Sequence, residues 1–587
     1  MTRKPLMRRP LNAPPLQNIA LALTALCGTA HAQEANTTAS GTVATIVVTG
    51  SREGTTALKS LAPVQVVDAV ALRATGESDL RTALASVSPS YINVISNGGA
   101  LAKNTRGSSL RGLSGNQVLI LVNGKRRHGS SLINNSGGAS LGSSAADLGH
   151  IPVSAVERVE VLTDGAAAQY GSDAIAGVIN VILKSEAVGG AADITYGEYN
   201  HSVAKVGDIG DAGRTETANL NKGLELGSNG GFLNLSASVQ DTGDSAVLGP
   251  WKQPTKPIWQ LYAAPGDPRE ATANRYEVSP ALALRGTVSN GFRAPSLAEQ
   301  YYSSATVQPT NDPITNTSYI SYNYDTVPPD SPAAVALGAS KLKAEKSNNI
   351  SLGAVLTPTA SLSASLDVYQ IDIKDRIYLT GAFNGFNTPV VANILKAAGL
   401  TSSQAVKYFA NIGKTRTRGL EAKLDYTAGS TTWGLSYAYN QQKVLSVNTP
   451  AALQKAGLSL LGRDRIALLE EALPQHILRG TLGWRIGAWQ VDVVESFYSK
   501  TRTVNNVLNA DQDSVSPNAF ITDASLGYRF TKELKATIGS RNLFNKRALD
   551  QPAALASTLN YENPYPNQNT PYGFGGAFYY ARLNYQW

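Results

Sequence analysis

Apolar and polar residues alternate through the last two thirds of the chain. At its end, Ala577, Tyr579, Ala581, Leu583, Tyr585 and Trp587 share one face, and Phe578, Tyr580, Arg582, Asn584 and Gln586 share the other. A period of two predicts a strand with two unlike faces. The same alternation sets Trp433, Leu435, Tyr437 and Tyr439 against Thr432, Gly434, Ser436 and Ala438. It also sets Leu478, Leu482, Trp484 and Ile486 against Arg479, Thr481, Gly483 and Arg485, and Ala524, Leu526, Tyr528 and Phe530 against Asp523, Ser525, Gly527 and Arg529. In 361–373 the apolar phase slips at Val368 and Tyr369, which predicts a bulge. The pattern gives 14 strands, near 193–199, 214–226, 231–240, 258–264, 282–290, 347–356, 362–373, 412–426, 432–441, 476–486, 489–498, 520–530, 534–544 and 577–587. From 282 onward their links alternate long and short. A membrane-spanning antiparallel barrel has long loops on one side and short turns on the other, and an even strand count returns both ends to the turn side. A soluble sandwich or solenoid has no reason to keep that parity. No later segment reaches 18 consecutive apolar residues, so a helical membrane protein is not expected.

Before residue 190 the pattern is different. Residues 56–186 read as a small αβ domain, with a strand at 64–67, helices at 69–74 and 78–86, and a strong strand at 117–122. Asn123-Gly124 predicts a tight turn. The stretch from Ile151 to Lys184 closes the domain with two β-prone runs and the small residues Ala166, Ala167 and Ala168 between them. No phosphate-binding glycine loop, zinc-protease helix or nucleophile elbow is present, and His128 and His150 stand alone. The sequence therefore predicts no catalytic site, no metal site and no cofactor.

Composition sharpens this picture in three ways. Only 16% of the 587 residues are charged, against roughly 25% in soluble domains. Residues 1–32 have the form of a secretory signal, with Arg3, Lys4, Arg8 and Arg9, a nine-residue apolar core ending at Cys27, and Ala30-His31-Ala32 as the cleavage site. Its removal lowers the net charge from +8 to +4 and takes away the single cysteine. The mature chain then has no disulfide or thiolate metal site, and no basic face suited to nucleic acid. After the signal, 33–42 is small and polar. A β-prone patch, Thr45, Ile46, Val47, Val48 and Thr49, follows and could add as a strand to a partner's sheet edge.

With these pieces in order, the chain resembles the TonB-dependent outer-membrane receptors. The patch at 45–49 resembles a TonB box. Leu110-Arg111-Gly112-Leu113 and Leu121-Val122-Asn123-Gly124 resemble plug motifs, with Asn123 where aspartate is usual. The most specific plug likeness runs from Ala155-Val156-Glu157-Arg158-Val159-Glu160-Val161-Leu162 to Gly177-Val178-Ile179-Asn180-Val181-Ile182. In the barrel, Gly291-Phe292-Arg293-Ala294-Pro295-Ser296-Leu297, Arg418-Gly419-Leu420-Glu421, Asn542-Leu543-Phe544-Asn545 and the aromatic last strand match. The resemblance implies a signal peptide at 1–32, an arm with the TonB box at 33–55, an αβ plug at 56–188 and a transmembrane β-barrel at 189–587. It implies an importer, not an enzyme, in the outer membrane of a Gram-negative bacterium. Its partners would be TonB with its inner-membrane energising complex, outer-membrane lipid, and the barrel assembly machinery acting on the strand that ends in Trp587.

The implied ligand is scarce and extracellular, an iron–siderophore complex first, with vitamin or carbohydrate as alternatives. A non-transporting binding protein is the contrasting reading. Arg111 and Arg158 are the plug candidates for ion pairs with the barrel, and Glu345 the barrel candidate. Tyr301, Tyr302, Tyr561, Tyr565 and Tyr572 are ligand candidates, with Tyr319, Tyr322, Tyr324 and Phe574 beside them. The segment 393–410 reads as a helix within a long loop. One departure stands out. A barrel wide enough for a plug has about 22 strands, and the pattern gives 14. The shortfall localises to an internal deletion near 260–280.

Overall fold

The computed structural model describes residues 63–93, 108–200, 213–242, 271–311, 318–547 and 570–587, with short gaps, and 46–47, 49, 55–56, 202–203 and 207–208. All belong to one unit, Ile46–Trp587. Residues 1–32 lie outside them. So does the strand expected near 258–264.

The N-terminal domain contains β1 (Val64–Asp68), α1 (Ala69–Ala74), α2 (Leu80–Ala85), β2 (Tyr91–Asn93), β3 (Ser108–Leu110), β4 (Val118–Val122), β5 (Lys125–Arg126), β6 (Val156–Leu162) and β7 (Gly177–Leu183). Five strands form one sheet in the order β1-β6-β7-β4-β5, with β4 and β7 parallel. Asp68 and Asp79 start the two helices by accepting the amides of Ala71 and Arg81 at 2.7 and 2.8 Å. Asn123 and Gly124 both have positive φ, +49° and +74°, as the tight β4–β5 turn requires. Alternation decides what each sheet face does. Val159, Val161, Ile179 and Val181 join Leu72, Leu80, Leu84, Leu110 and Leu113 in the main core, while Val64, Leu119, Leu121, Leu162 and Val178 form a second cluster.

The rest builds one antiparallel sheet of 14 strands. These are β8 (Gly190–Tyr199), β9 (Thr215–Leu226), β10 (Gly231–Thr242), β11 (Ala271–Ser279), β12 (Leu282–Arg293), β13 (Glu345–Thr359), β14 (Leu362–Lys374), β15 (Gly413–Ala428), β16 (Thr431–Val447), β17 (His476–Ile486), β18 (Trp489–Tyr498), β19 (Ala519–Arg529), β20 (Leu534–Arg541) and β21 (Phe578–Gln586). Long and short links alternate throughout, so the expected parity holds. The outer face is apolar and the inner face polar. Val288, Ile350 and Leu352 are 59%, 49% and 61% exposed, whereas Ser289, Asn349 and Ser351 are at 3%, 3% and 4%. This inversion of a soluble core is what a lipid-facing barrel needs.

The strand order is β10-β9-β8-β21-β20-β19-β18-β17-β16-β15-β14-β13-β12-β11. First and last barrel strands therefore pair, β8 with β21, through nine registered positions from Ala191↔Gln586 to Tyr199↔Phe578. The sheet ends instead at β10 and β11, which flank 243–270 and have no partner on their far sides among the described residues. This is the neighbourhood where the sequence placed the deletion. The count of 14 agrees, but its fourth member is Ala271–Ser279. The inner faces of β12 to β14 are buried, while both faces of β10 are largely exposed.

Two local expectations need correction. There is no bulge at Val368 and Tyr369. The register runs unbroken through Val368↔Leu352 and Tyr369↔Ser351, and the irregularity lies between Leu356 and Thr359. The apolar phase slips because Tyr369, Ile371 and Ile373 point inward and pack into the N-terminal domain's main core. The helix expected at 393–410 is Pro389–Ala397, entered at a proline, and Ala405–Lys407 and Phe409–Asn411 are short strands. Val391 and Leu395 of this helix are buried with Ala334, Leu337, Phe383, Val406, Tyr408 and Leu460. The long links thus carry a core of their own.

Candidate functional site: the interface between plug and barrel

The N-terminal domain sits inside the curved sheet as a plug, and polar contacts fix it on two sides. On the first, Arg111 donates from Nε and Nη2 to Glu421 Oε1 and Oε2 at 3.0 and 2.6 Å. The Arg111 guanidinium lies 3.7 Å from the centre of the Tyr369 ring. These contacts explain two motifs together. Arg111 adopts φ +51°, which turns its side chain out of the plug. Gly419, paired with Tyr369 in register, must lack a side chain because a Cβ there would overlap the Tyr369 hydroxyl. So in Arg418-Gly419-Leu420-Glu421 the glycine seats the ring and the glutamate takes the arginine.

Beside this clamp lies a buried network. Arg293 donates to Glu299 at 2.8 and 2.9 Å and to Glu345 at 2.9 and 3.0 Å. Gln117 of the plug donates to both oxygens of Glu345 at 3.3 and 3.2 Å, and the amide of Ile377 donates to it at 2.8 Å. Glu345 therefore meets the plug through an amide, while its ion pair is with Arg293 of the barrel. On the opposite side the charges reverse: Glu77 of the plug pairs with Arg541 of β20, and Arg582 of β21 donates to the Arg73 carbonyl at 2.7 Å.

Arg158 corrects the expectation of a plug–barrel pair. Among the described residues it forms salt bridges with Glu157 and Glu160, both plug residues, at 2.7 and 2.8 Å. Glu160 is fully buried and also receives the Thr49 amide and hydroxyl at 2.9 and 2.5 Å. Asn180, its cross-strand neighbour, donates to the Thr49 hydroxyl at 3.0 Å and accepts from the Gly124 amide at 3.0 Å. The last residue of the β-prone patch is thus docked on the plug. Ile46 and Val47 pair with Thr56 and Thr55. Thr45 and Val48 lie outside the described residues.

Among the described residues, three of the aromatic candidates can be placed, Tyr301, Tyr302 and Tyr572. Tyr301 is 63% exposed, and Tyr302 packs beside a cluster of Ile133, Leu141, Leu342 and Phe409. The Tyr572 hydroxyl is 3.4 Å from Ser516 Oγ, and its ring lies 6.3 Å from that of Tyr498. Tyr561, Tyr565 and Phe574 lie outside the described residues, and Tyr319, Tyr322 and Tyr324 belong to strand Ser318–Thr326, where only their backbone is described. His150 is exposed near Asp147. No cluster of metal ligands occurs among the described residues.

The sequence reading missed Glu421, Glu77 and Arg541 as interface charges. Glu421 was legible in principle, because it sits in phase with the inward Thr415 and Thr417. Glu77 and Arg541 gave no local signal, since Glu77 lies in the link between α1 and α2 and Arg541 is the last residue of β20.

The long-link end carries a further charge cluster, between the links 448–475 and 499–518. Asp513 accepts from Arg463 Nη1 and Arg502 Nε, both at 2.9 Å. Burial would raise its pKa, but the hydrogen bonds and charge of the two guanidiniums outweigh that and hold the carboxyl below its ordinary range. The stabilisation is therefore complete above the ordinary aspartate pKa and is lost as pH falls through the lower folded value. We expect protease resistance of these links to persist down to about pH 4 and to drop only below it. In Asp513→Asn it should be weaker at neutral pH, with that acid step diminished.

Comparison with known families agrees with this architecture. The "TonB-dependent Receptor Plug Domain" family model matches residues 56–178, and the "TonB dependent receptor-like, beta-barrel" model matches residues 271–543, beginning at the first residue of β11. Together they span more than half of the chain. The chain belongs to the TonB-dependent receptors. It is 33% identical over 216 residues to the vitamin B12 transporter BtuB of Vibrio vulnificus, covering 36% of this chain and 29% of that one. It is 32% identical over 121 residues to BtuB of Photobacterium profundum, covering 20% and 18%. The matches thus span under a third of the length of these curated relatives. Among solved structures, the siderophore receptor PirA of Acinetobacter baumannii superposes with a TM-score of 0.60 at 15% identity over 89% of this chain and 98% of that one. A point mutant of the ferric enterobactin receptor PfeA of Pseudomonas aeruginosa gives 0.55 at 15%, over 92% and 100%. These likenesses show the fold.

Proposed function

We propose that the chain is an outer-membrane receptor of a Gram-negative bacterium that imports a scarce extracellular ligand by coupling to TonB. The observation that carries this reading is the docked box. Thr45, Ile46, Val47, Val48 and Thr49 precede the plug, and Thr49, fully buried, is held on Glu160 by two hydrogen bonds. A segment held this way can be released and added as a strand to a partner sheet. No nucleotide-binding motif supplies energy within the chain, so a partner must. A ferric siderophore is the ligand class we favour, and the BtuB similarities raise a corrinoid as the second. Ligand would enter at the long-link end, past Tyr301 and Tyr572. The barrel assembly machinery would recognise the strand ending in Trp587.

The open sheet supports a contrasting reading, a binding protein that does not transport. Unpaired strand edges are costly in lipid, and 14 strands form an arc rather than the lumen of about 22 that encloses a plug. An internal deletion between β10 and β11 accounts for both. Growth of a receptor-deleted host on ferric enterobactin or on cyanocobalamin separates the readings. Transport predicts growth on one of them, abolished by Val47→Pro, which removes a ladder donor from the box. Growth unaffected by the proline sinks coupling to TonB. No growth on either by a correctly inserted chain supports the non-transporting reading.

A further inference from the structure

The helix α3 (Leu297–Tyr301) stands at the long-link end, between the barrel wall and the plug. Its last residue, Tyr301, is exposed, while Ala298 and Tyr302 pack beside Ile133 and Leu141 of the plug. Glu299, at 1% exposure, is the only charged side chain of this helix. Its Oε2 accepts from the Ser296 amide and hydroxyl at 2.8 and 3.1 Å, which completes the helix cap. Both its oxygens take Arg293, and Oε1 lies 3.4 Å from Asn116 Nδ2 of the plug. Asn116 in turn accepts from the Ser144 amide at 3.0 Å and the Ser143 hydroxyl at 3.3 Å, and it donates to the Gly142 carbonyl at 3.3 Å. The next residue, Gln117, is the one bound to Glu345.

We infer that Glu299 is a positioning residue that couples the outer helix Leu297–Tyr301 to the plug turn Gly115–Gln117, so that displacing the helix from outside loosens the plug's upper loop. This rests on the transport reading for its purpose, but the contacts stand apart from it. One carboxylate serves the cap, the barrel arginine and the plug amide together. It is buried, so its hydrogen bonds must be re-formed or lost when the helix moves, and solvent cannot replace them. The turn it reaches leads directly into β4, which pairs with β7, the strand whose Asn180 holds Thr49. The plug end of this contact lies where a ligand seated against Tyr301 would have to act.

The test is hydrogen exchange on the full chain in outer-membrane lipid, without ligand or TonB. Glu299→Gln keeps the volume and removes the charge. Ser296→Ala removes only the cap; among the described residues Ser296 hydrogen-bonds to Glu299 and Gln300, not to the plug. Both variants should speed exchange of plug amides at 115–117 and 142–144 by about tenfold, the loss of roughly one charge-assisted hydrogen bond. Amides of β6 should not change. The inference is overturned if Ser296→Ala leaves 115–117 and 142–144 at the wild-type rate, or if exchange rises equally in β6. Should Glu299→Gln fail to insert, Ser296→Ala alone decides. Because neither ligand nor TonB is used, absence of uptake would count against transport and leave this result standing.

Discussion

Glu421→Ala is expected to cost about 3–5 kcal/mol of plug–barrel stability, because it leaves the Arg111 guanidinium at 1% exposure without this carboxylate. The ring of Tyr369 remains under the cation, but such a contact is worth only about 0.5–2 kcal/mol and cannot replace the pair. Glu421→Gln should cost less, since an amide oxygen still accepts one hydrogen bond. The double variant Arg111→Met with Glu421→Leu should recover most of the loss, because it leaves neither charge buried. Arg111 also pays for its left-handed backbone, roughly 1–2 kcal/mol for a non-glycine residue. Arg111→Gly would relieve that strain but forfeit the pair, so it should remain clearly less stable than wild type. Urea-induced release of the plug from the inserted barrel, followed by proteolysis of plug peptides, measures all four. If Glu421→Ala releases the plug at the wild-type urea concentration, the clamp is not what holds it.

The parts legible in the sequence were those set by local periodicity. Two unlike faces at period two gave nearly every barrel strand, and Asn123-Gly124 gave a turn whose dihedrals follow from the residue types. Pairings were harder, because which charge meets which depends on register between strands hundreds of residues apart. Arg111 was readable as a plug charge, yet its partner Glu421 needed the inward phase of β15 to be known. Arg158 went the other way: among the described residues it pairs with Glu157 and Glu160 of its own strand. The supposed bulge at Tyr369 shows the same limit. Polar-in, apolar-out alternation fails at Tyr369, Ile371 and Ile373 because they face the plug's apolar core rather than water. The sheet ends at β10 and β11, unpartnered among the described residues, leave no mark on the alternation of either strand.

Gly177→Ala is expected to be the most damaging single-methyl change in the plug. Gly177 opens β7 at φ +147°, a conformation that other residues rarely adopt. A Cβ there would overlap the Leu162 carbonyl oxygen and lie 2.9 Å from Leu110 Cδ2. The first contact is with backbone at the end of β6, so it cannot be relieved by a rotamer change. Either β6 and β7 separate at Leu162↔Val178, or the chain between them is displaced. Overpacking with forced backbone movement typically costs about 1–3 kcal/mol, and the unfavourable φ adds roughly another 1–2 kcal/mol. Gly112→Ala provides the contrast. Its Cβ would overlap Asn440 Nδ2, but that atom ends a side chain that can swing away, leaving mainly the cost of φ +69°. The two variants should therefore differ in kind. Gly112→Ala should weaken the seating of the plug against β16 and leave the plug fold intact. Gly177→Ala should lower the protection of β6 and β7 amides and, because Glu160 and Asn180 lie on those strands, release Thr49 as well. Protection of the Thr49 amide unchanged in Gly177→Ala would break the link between the plug sheet and the docked box.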